Sequence, residues 1–366
     1  MTTKAGHSPL SPDASAWLAA LSAPRTHFAV PSRRMVAAEL AVLIEAALAH
    51  GTLPIVARNL RRFAAGDHVI VDGANAQQLI DTTVKELDQR LLVLAGQNIL
   101  LLHHASRIMS EFKRAALPAQ VIKGPVFARR LYEHPNDRNF TDVDILIDPV
   151  AVAASCAILE RLGYVQAQSP NRGGSEHGEY KWLAPDNDVV LIEIQTNLIH
   201  SPNLGAGIRF NHADLIEAGN DDAEDPTALL LVAAIHGAAG HQFERLQPAI
   251  DVLQAARGAA GPIDRNRLVR VAHATGSLAA LQSALDLAAG LFGDPAVREL
   301  ADALSPVPWR RLRSRLVSPD VVLRAQSRNA GYDSWRRRAY REIIRRTGRK
   351  TILRHKAKTQ ISYPIN

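Results

Sequence analysis

Two aspartates that lead directly into an apolar run constrain this chain most. Asp142 and Asp144 are separated by one residue and are followed by the β-branched run Ile145 to Ile147. This pattern predicts a buried strand from Thr141 to Ile147. Alternate side chains of a strand share a face, so both carboxylates are expected on one side, at the mouth of the strand. A divalent cation is the usual compensation for such repulsion and desolvation, and hard oxygen ligands suit Mg²⁺, so the segment is a candidate metal site.

A Lys-Gly pair upstream is a candidate phosphate site. A short apolar strand from Ala119 to Ile122 is predicted to end at Lys123-Gly124, where a helix from Pro125 to Tyr132 begins. The N–H groups of a helix start and a nearby cation attract anions, and Gly124 lets the backbone approach a ligand closely. Pro125 departs from this pattern, because it has no N–H to donate to a phosphate.

A third carboxylate, Glu193, lies inside the apolar run Val189 to Gln195. This run is predicted to be a strand, and a carboxylate within it is costly unless it meets a cation or a proton. If the two strands are neighbours, Glu193 completes a three-carboxylate site with Asp142 and Asp144. Such a site around Mg²⁺ or Mn²⁺ suits phosphoryl or nucleotidyl transfer. Two simpler readings stay open, namely a solvated strand edge for the aspartates and an Arg partner for Glu193.

These motifs together resemble a bacterial nucleotidyltransferase-like family of the polymerase-β superfold. The family pattern runs K-G, L-Y, R, D-x-D, G-Y and then E within an apolar strand. The resemblance covers about residues 76–293, including helices between Leu229 and Ala255. The matching positions in the core are Lys123, Gly124, Leu131, Tyr132, Arg138, Asp142, Asp144, Leu146, Gly163, Tyr164 and Glu193.

The resemblance implies a metal-dependent transfer of a nucleoside monophosphate from an NTP to an unknown acceptor, with release of pyrophosphate. Asp142, Asp144 and Glu193 would then be the catalytic and metal-binding residues. Lys123, Gly124 and Arg138 would bind the nucleotide. Gln195 stands where the family usually has histidine, so the supporting role of that position beside the carboxylates is not expected here. Two alternatives are a catalytically silent nucleotide-binding or interaction protein, favoured by Pro125, and a D-x-D glycosyltransferase.

The periodicity of the chain predicts an α+β fold with a small mixed-sheet nucleotidyltransferase core between helical regions. Apolar residues recur at helical spacing before and after the core, with one long helix or two stacked helices from Ala76 to Ala116. We expect five segments: a disordered N-terminus at 1–15, a helical region at 16–117, the α/β core at 118–220, a helical domain at 221–305 and a basic, partly helical tail at 306–366.

Charge and composition place further limits on the function. The chain of 366 residues has a net charge of +7, and residues 306–358 carry 17 Arg or Lys against three acidic residues. Such a segment suits nucleic acid, an anionic membrane surface or an acidic partner protein, or else is a solvated tail. RNA, especially a tRNA end, is therefore an expected acceptor, and a protein hydroxyl, a sugar or a small metabolite stays open. The single Cys156 excludes an internal disulfide. No secretory signal is recognised and no run reaches the roughly 18 apolar residues of a membrane span, so a cytoplasmic location is expected.

Overall fold

The computed structural model describes residues 10–24, 31–64, 70–73, 75–167, 179–185, 187–304, 308–324 and 332–361. The elements before the sheet are α1 (Pro12–Leu21), β1 (Met35–Val36), α2 (Glu39–Ala49), α3 (Leu53–Ala64), β2 (Val71–Asp72) and α4 (Ala76–Arg114). The long apolar-periodic segment is therefore one helix of 39 residues rather than two.

Helix α1 begins inside the segment that the sequence predicted to be disordered. The Ser11 side chain accepts a hydrogen bond from the N–H of Ala14 at 3.1 Å, and Pro12 occupies the first turn. Both are helix-start features, and Trp17 and Leu18 then bury the helix against the core. The prediction of disorder is thus wrong for residues 12–15, whereas residues 1–9 lie outside the described part of the chain.

A mixed five-stranded sheet forms the centre. Its elements are β3 (Ala119–Ile122), α5 (Gly124–Leu131), β4 (Asp142–Ile147), α6 (Val152–Arg161), β5 (Val165–Gln166), β6 (Glu179–Ala184) and β7 (Asn187–Gln195). The strand order is β3-β4-β7-β6-β5. β4 and β7 are parallel, and the other neighbouring pairs are antiparallel.

The two faces of the sheet differ in chemistry. One face is apolar: Val143, Ile145 and Ile147 of β4 pack with neighbours from β7, α4 and α6 in a buried cluster. Because side chains alternate along a strand, the other face of β4 and β7 carries the carboxylates. This polar face is turned toward the helices that follow the sheet, and a cavity lies between them.

The helices after the sheet form a second layer. They are α7 (Pro202–Gly205), α8 (His212–Gly219), α9 (Pro226–Ile235), α10 (Leu246–Ala256), α11 (Arg265–Ala274), α12 (Leu278–Phe292), α13 (Pro295–Ala303), α14 (Arg310–Leu316), α15 (Pro319–Arg324) and α16 (Tyr332–Ile361). One hydrophobic cluster joins them to α1–α4. An α+β fold with a small mixed sheet between helical regions is thereby confirmed.

The basic segment is part of this helical layer where it is described. Tyr340 and Ile344 of α16 are 1% and 0% exposed, in the same cluster as the N-terminal helices. The helix approaches closely because Gly348 meets the backbone carbonyls of Gly207 and Gly276, where a Cβ would collide. The part of α16 from Tyr340 to Gly348 is therefore docked on the core rather than a solvated tail. None of the described helices combines the length and apolarity of a membrane span.

Candidate active site

The predicted carboxylates lie on neighbouring strands. In the parallel β4–β7 pair, Asp144 is in register with Glu193 and Asp142 with Leu191. Asp144 and Glu193 are only 5% and 8% exposed. Their strands are apolar on the reverse face, so the sheet holds both carboxylates rigidly over the cavity. The two strands are therefore neighbours, which is the condition that the predicted three-carboxylate site required.

Two lysines form ion pairs with two of these carboxylates. The Nζ of Lys123 lies 2.6 Å from Oδ1 of Asp144, and the Nζ of Lys181 lies 2.5 Å from Oε1 of Glu193. Lys181 stands opposite Glu193 in the antiparallel β6–β7 pair. The side chain of Lys123 is 7% exposed and that of Lys181 is 44% exposed. Lys123 thus forms a buried ion pair, whereas Lys181 lies at the rim of the cavity.

Asp142 is the unpaired carboxylate of the set. Its side chain makes no hydrogen bond or ion pair with any described residue, and it is half-buried. Burial, reinforced by the charges of Asp144 and Glu193, raises the pKa of Asp142 from 3.8 to about 6. Lys123 and Arg138 oppose this increase only in part. A cation at Asp142 would relieve the accumulated negative charge.

The turn that carries Lys123 has an unusual backbone. Lys123 has φ +58° and ψ −130°, a backbone conformation that residues other than glycine rarely adopt. It lies between β3 and α5, and the turn points its side chain at Asp144. A Cβ on Gly124 would lie 3.3 Å from the side chain of Phe140. The space beside Gly124 is therefore filled by protein.

Gln195 contacts the site, which the sequence did not lead us to expect. Its Nε2 donates a hydrogen bond to Oδ1 of Asp144 at 2.7 Å. Gln195 is fully buried, and its Oε1 finds no partner among the described residues. The amide therefore fixes the orientation of Asp144 together with Lys123. Gln195, at the position where the family usually has histidine, is thus part of the structure around the carboxylates.

Arg138 lies in a buried ion pair. Its Nε and Nη2 donate to the two carboxylate oxygens of Asp251 at 2.8 and 2.9 Å, and the hydroxyl of Tyr132 donates to the same carboxylate at 2.7 Å. The pair ties the loop before β4 to α10. Asn98 of α4 accepts a hydrogen bond from the N–H of Phe140 at 3.3 Å and so fixes the same loop. Arg138 borders the cavity, and its predicted contact with a phosphate stays a prediction.

These groups surround one cavity of about 500 Å³, a size typical of small-molecule sites. Its lining comprises Leu48, Gly51, Leu94, Gln97, Lys123, Gly124, Arg138, Asn139, Phe140, Thr141, Asp142, Asp144, Glu179, Lys181, Glu193, Leu198, His200, His236, Gly240, His241, Arg245, Gln247, Pro248 and Asp251. All six residues predicted from the sequence to bind nucleotide or catalyse are in this lining.

Histidines from the helical layer face the same cavity. Burial, followed by the charge of Lys123, lowers the pKa of His200 from 6.5 to about 4. The same two causes hold the pKa of His236 well below 6.5. The Nδ1 of His200 is buried without a hydrogen-bond partner in the described part of the chain. These imidazoles are therefore neutral near pH 7 and contribute polar atoms rather than charge.

His236 and His241 are brought together by a π-helical turn. The turn spans His236–Gly240, and the N–H of His241 donates to the carbonyl of His236 at 3.1 Å. A π turn places residues five apart on one face. The two rings consequently meet edge to face, with centroids 4.5 Å apart. Their spacing in the sequence gives no sign of this contact in an ordinary α-helix.

The carboxylates suit a metal site that substrate phosphates complete better than one formed by protein side chains alone. No three described His, Cys, Asp or Glu side chains are gathered closely enough to hold a metal ion by themselves. Mg²⁺ at nucleotide sites is commonly held by one or two carboxylates together with substrate phosphates. Asp142 and Asp144 supply such oxygens on one strand face. Glu193 has one oxygen bound to Lys181, and its predicted role as a metal ligand stays a prediction.

Comparison with known proteins identifies the family. A family model described as an uncharacterised nucleotidyltransferase matches residues 37–293, which is more than half of the chain. Neither the search of curated proteins nor that of solved structures found a match. The matched range includes the whole sheet, the carboxylates and the helices that close the cavity. The chain therefore belongs to this uncharacterised family of nucleotidyltransferases.

Proposed function

We propose that the protein transfers a nucleoside monophosphate from an NTP to an acceptor hydroxyl in a Mg²⁺- or Mn²⁺-dependent reaction. The observation that carries this proposal is the carboxylate arrangement. Asp144 and Glu193 are buried in register on adjacent strands, and Asp142, without a partner in the described structure, lies two residues before Asp144. So much negative charge in a cavity is costly for folding alone, which favours a functional role.

The proposed reaction requires one proton acceptor and one leaving group. The acceptor oxygen forms a bond to the α-phosphorus, and the bond from that phosphorus to the α–β bridging oxygen breaks. Pyrophosphate leaves with the electron pair of the broken bond. Glu193 takes the proton of the acceptor hydroxyl, since Lys181 binds only its Oε1 and no described group binds its other oxygen.

Asp142 and Asp144 would hold the divalent cation. When bound, such an ion neutralises charge that develops on the phosphates and orients them for in-line displacement. Lys123 and Gln195 both contact Oδ1 of Asp144, so they fix the direction of this carboxylate. Lys123 is also paired with Asp144 at 2.6 Å, and its charge would help to neutralise the α-phosphate of the transferred nucleotidyl group.

The basic helix α16 supports RNA as the acceptor. Arg338, Arg349 and Lys350 are exposed on it. Arg337 and Arg341 near its start donate to Oε1 of Gln242, each at 3.0 Å. Gln242 adjoins His241 of the cavity lining, so the exposed basic face begins beside the cavity mouth. A polyanionic chain that lies along α16 would reach the carboxylates with its end.

This acceptor is tested by charge removal rather than by truncation. Deleting residues 306–366 would remove Tyr340 and Ile344 from the core, so loss of binding would be uninformative. The triple variant Arg338→Gln, Arg349→Gln, Lys350→Gln keeps those contacts. RNA affinity should fall and its dependence on salt should become shallower. Unchanged RNA binding would exclude this surface.

The reaction itself is tested by Asp144→Asn, which keeps the size of the side chain. The wild-type protein, Mg²⁺, each NTP and a cell extract should together release pyrophosphate and label an acceptor. The variant should lose this release while its far-UV circular dichroism is retained. Pyrophosphate release by the variant at the wild-type rate would exclude the assignment.

A catalytically silent nucleotide-binding protein is the second candidate. Lys123 and Lys181 balance the charges of Asp144 and Glu193 without a metal ion, which favours this candidate. Calorimetry with NTP and Mg²⁺, followed by product analysis, separates the two. Binding without transfer to any fraction of the extract would favour the silent protein.

A further inference from the structure

We propose that Arg245 binds the phosphates of the nucleotide, from the wall of the cavity that belongs to the helical layer. This inference rests on the proposed function and names a binding residue for it. Arg245 precedes α10, is exposed and lines the cavity that contains the carboxylates. Its guanidinium makes no hydrogen bond or ion pair with any residue that the structure describes. A planar guanidinium with free donors suits bidentate binding of phosphate oxygens.

The groups that the sequence suggested for phosphate binding are engaged elsewhere. Arg138 gives Nε and Nη2 to Asp251 in a buried bidentate pair. The space beside Gly124 is filled by Phe140, and Pro125 has no N–H to offer. The turn after β3 therefore supplies little beyond the lysine that is already paired with Asp144.

The backbone at the start of α10 is also engaged. The N–H of Leu246 donates to Nδ1 of His50 at 3.2 Å, and the N–H of Gln247 donates to the carbonyl of His50 at 3.3 Å. A phosphate at this position would find these two helix-start amides already used. The side chain of Arg245 is consequently the part of this segment that is available to an anion.

The turn that presents Arg245 is braced from two sides. Gln242 and Phe243 both have positive φ, +47° and +52°, and a Cβ on Gly237 would lie 2.5 Å from the Phe243 ring. Such a conformation is strained for non-glycine residues and persists only when its surroundings impose it.

Helix α16 supplies the second brace. Arg337 donates to Oε1 of Gln242 at 3.0 Å and pairs with Glu244 at 3.2 Å. Glu244 pairs with Arg337 and His241, whereas the neighbouring Arg245 acts on it only through its charge, which helps to lower the pKa of Glu244, and forms no ion pair with any described carboxylate. Among the described residues, the guanidinium of Arg245 thus keeps its hydrogen-bond donors unused at the edge of a cavity rich in carboxylates. Phosphates of a nucleotide bound there would lie between Arg245 and the residues of the sheet.

The test is equilibrium binding by calorimetry of each NTP and of inorganic tripolyphosphate, with Mg²⁺ and separately with EDTA. Arg245→Gln should lower the affinity for both ligands by about tenfold or more, as expected for lost charge-assisted hydrogen bonds. Arg245→Lys should restore part of the affinity. The control is Arg265→Gln on α11, which removes an exposed arginine paired with Glu299 and does not line the cavity.

The outcomes separate this inference from the proposed function. Equal affinity of wild type and Arg245→Gln for both ligands would overturn the role of Arg245, even if Asp144→Asn abolished transfer. If the wild type bound neither an NTP nor tripolyphosphate, both proposals would fail together. Weakened binding in Arg245→Gln, with unchanged binding in Arg265→Gln, would support the inference whether or not an acceptor has been found.

Discussion

The buried pair of Arg138 and Asp251 should stabilise the contact between the sheet and the helical layer. The side chains are 7% and 2% exposed, and Asp251 accepts from Tyr132 as well as from Arg138. Asp251→Leu would leave a buried guanidinium and a buried hydroxyl without their acceptor. Removing one member of such a pair costs roughly 3–5 kcal/mol of the free energy of unfolding.

A double-variant cycle isolates this effect. In Arg138→Met/Asp251→Leu no charge stays uncompensated, so the double variant should regain about 2 kcal/mol or more relative to Asp251→Leu. The free energies come from urea unfolding followed by circular dichroism, with the slope checked for two-state behaviour. Glu299→Ala is the control, because its pair with Arg265 is largely exposed and should contribute at most about 1 kcal/mol.

Two results would refute the reasoning. If Asp251→Leu lowers the free energy of unfolding no more than the Glu299→Ala control does, the pair is not a structural anchor. Alternatively, the double variant could be as unstable as Asp251→Leu, which would mean that lost packing rather than an isolated charge causes the damage.

Three further predictions concern the turn, the helix contact and pH. Lys123→Gly should be more stable than Lys123→Ala by about 1 kcal/mol in thermal unfolding, because glycine tolerates φ +58° and both variants lose the same charge. Gly348→Ala should lower the free energy of unfolding by roughly 1–3 kcal/mol, because the new Cβ meets the carbonyl of Gly207. Burial lowers the pKa of His50 from 6.5 to about 4. The folded state therefore resists protonation between these values, and stability should be full above pH 6.5 and fall toward pH 4 by roughly 3 kcal/mol from this group.

Each of these predictions has its own control. Equal stability of the alanine and glycine variants at position 123 would show that the backbone there is not strained. Gly96→Ala is the control for the helix contact, since its Cβ would meet nothing within 4 Å, and it should stabilise α4 by about 0.5–1 kcal/mol. For the pH prediction, His50→Gln should flatten the dependence of unfolding free energy on pH between 6.5 and 4. An unchanged slope would assign the effect to other groups.

The sequence was most informative where strand periodicity and side-chain chemistry agree. The apolar run after Asp144 predicted a buried strand, and the same alternation placed Glu193 on the polar face of β7. Lys181 was not predicted as the partner of Glu193, because the β6–β7 pair shifts register between Leu183 and Ala184, and an even register from Ala184 and Asn187 would place Lys181 opposite Val190. The shift near the turn brings Lys181 opposite Glu193, so the ion pair does not follow from the position of the turn alone.

Long-range contacts could not be derived from local patterns. Arg138 and Asp251 are separated by 113 residues and meet only when the sheet packs on α10. The π turn brings the rings of His236 and His241 together, a contact that α-helical spacing does not predict. The docking of α16 depends on the approach of Gly348 to Gly207, which composition alone does not reveal. The high positive charge of that segment suggested a tail, whereas its buried face makes it part of the helical layer.

The central claim is nucleotidyl transfer at the carboxylates of β4 and β7, and the position of a label in the nucleotide tests it most directly. The protein is incubated with Mg²⁺, a cell extract and an NTP labelled either at the α-phosphorus or at the γ-phosphorus. Label from the α position should enter an acceptor, label from the γ position should appear only in pyrophosphate, and Asp142→Asn should abolish both. Transfer of the γ label to the acceptor would contradict the account, because it would make the reaction phosphoryl rather than nucleotidyl transfer.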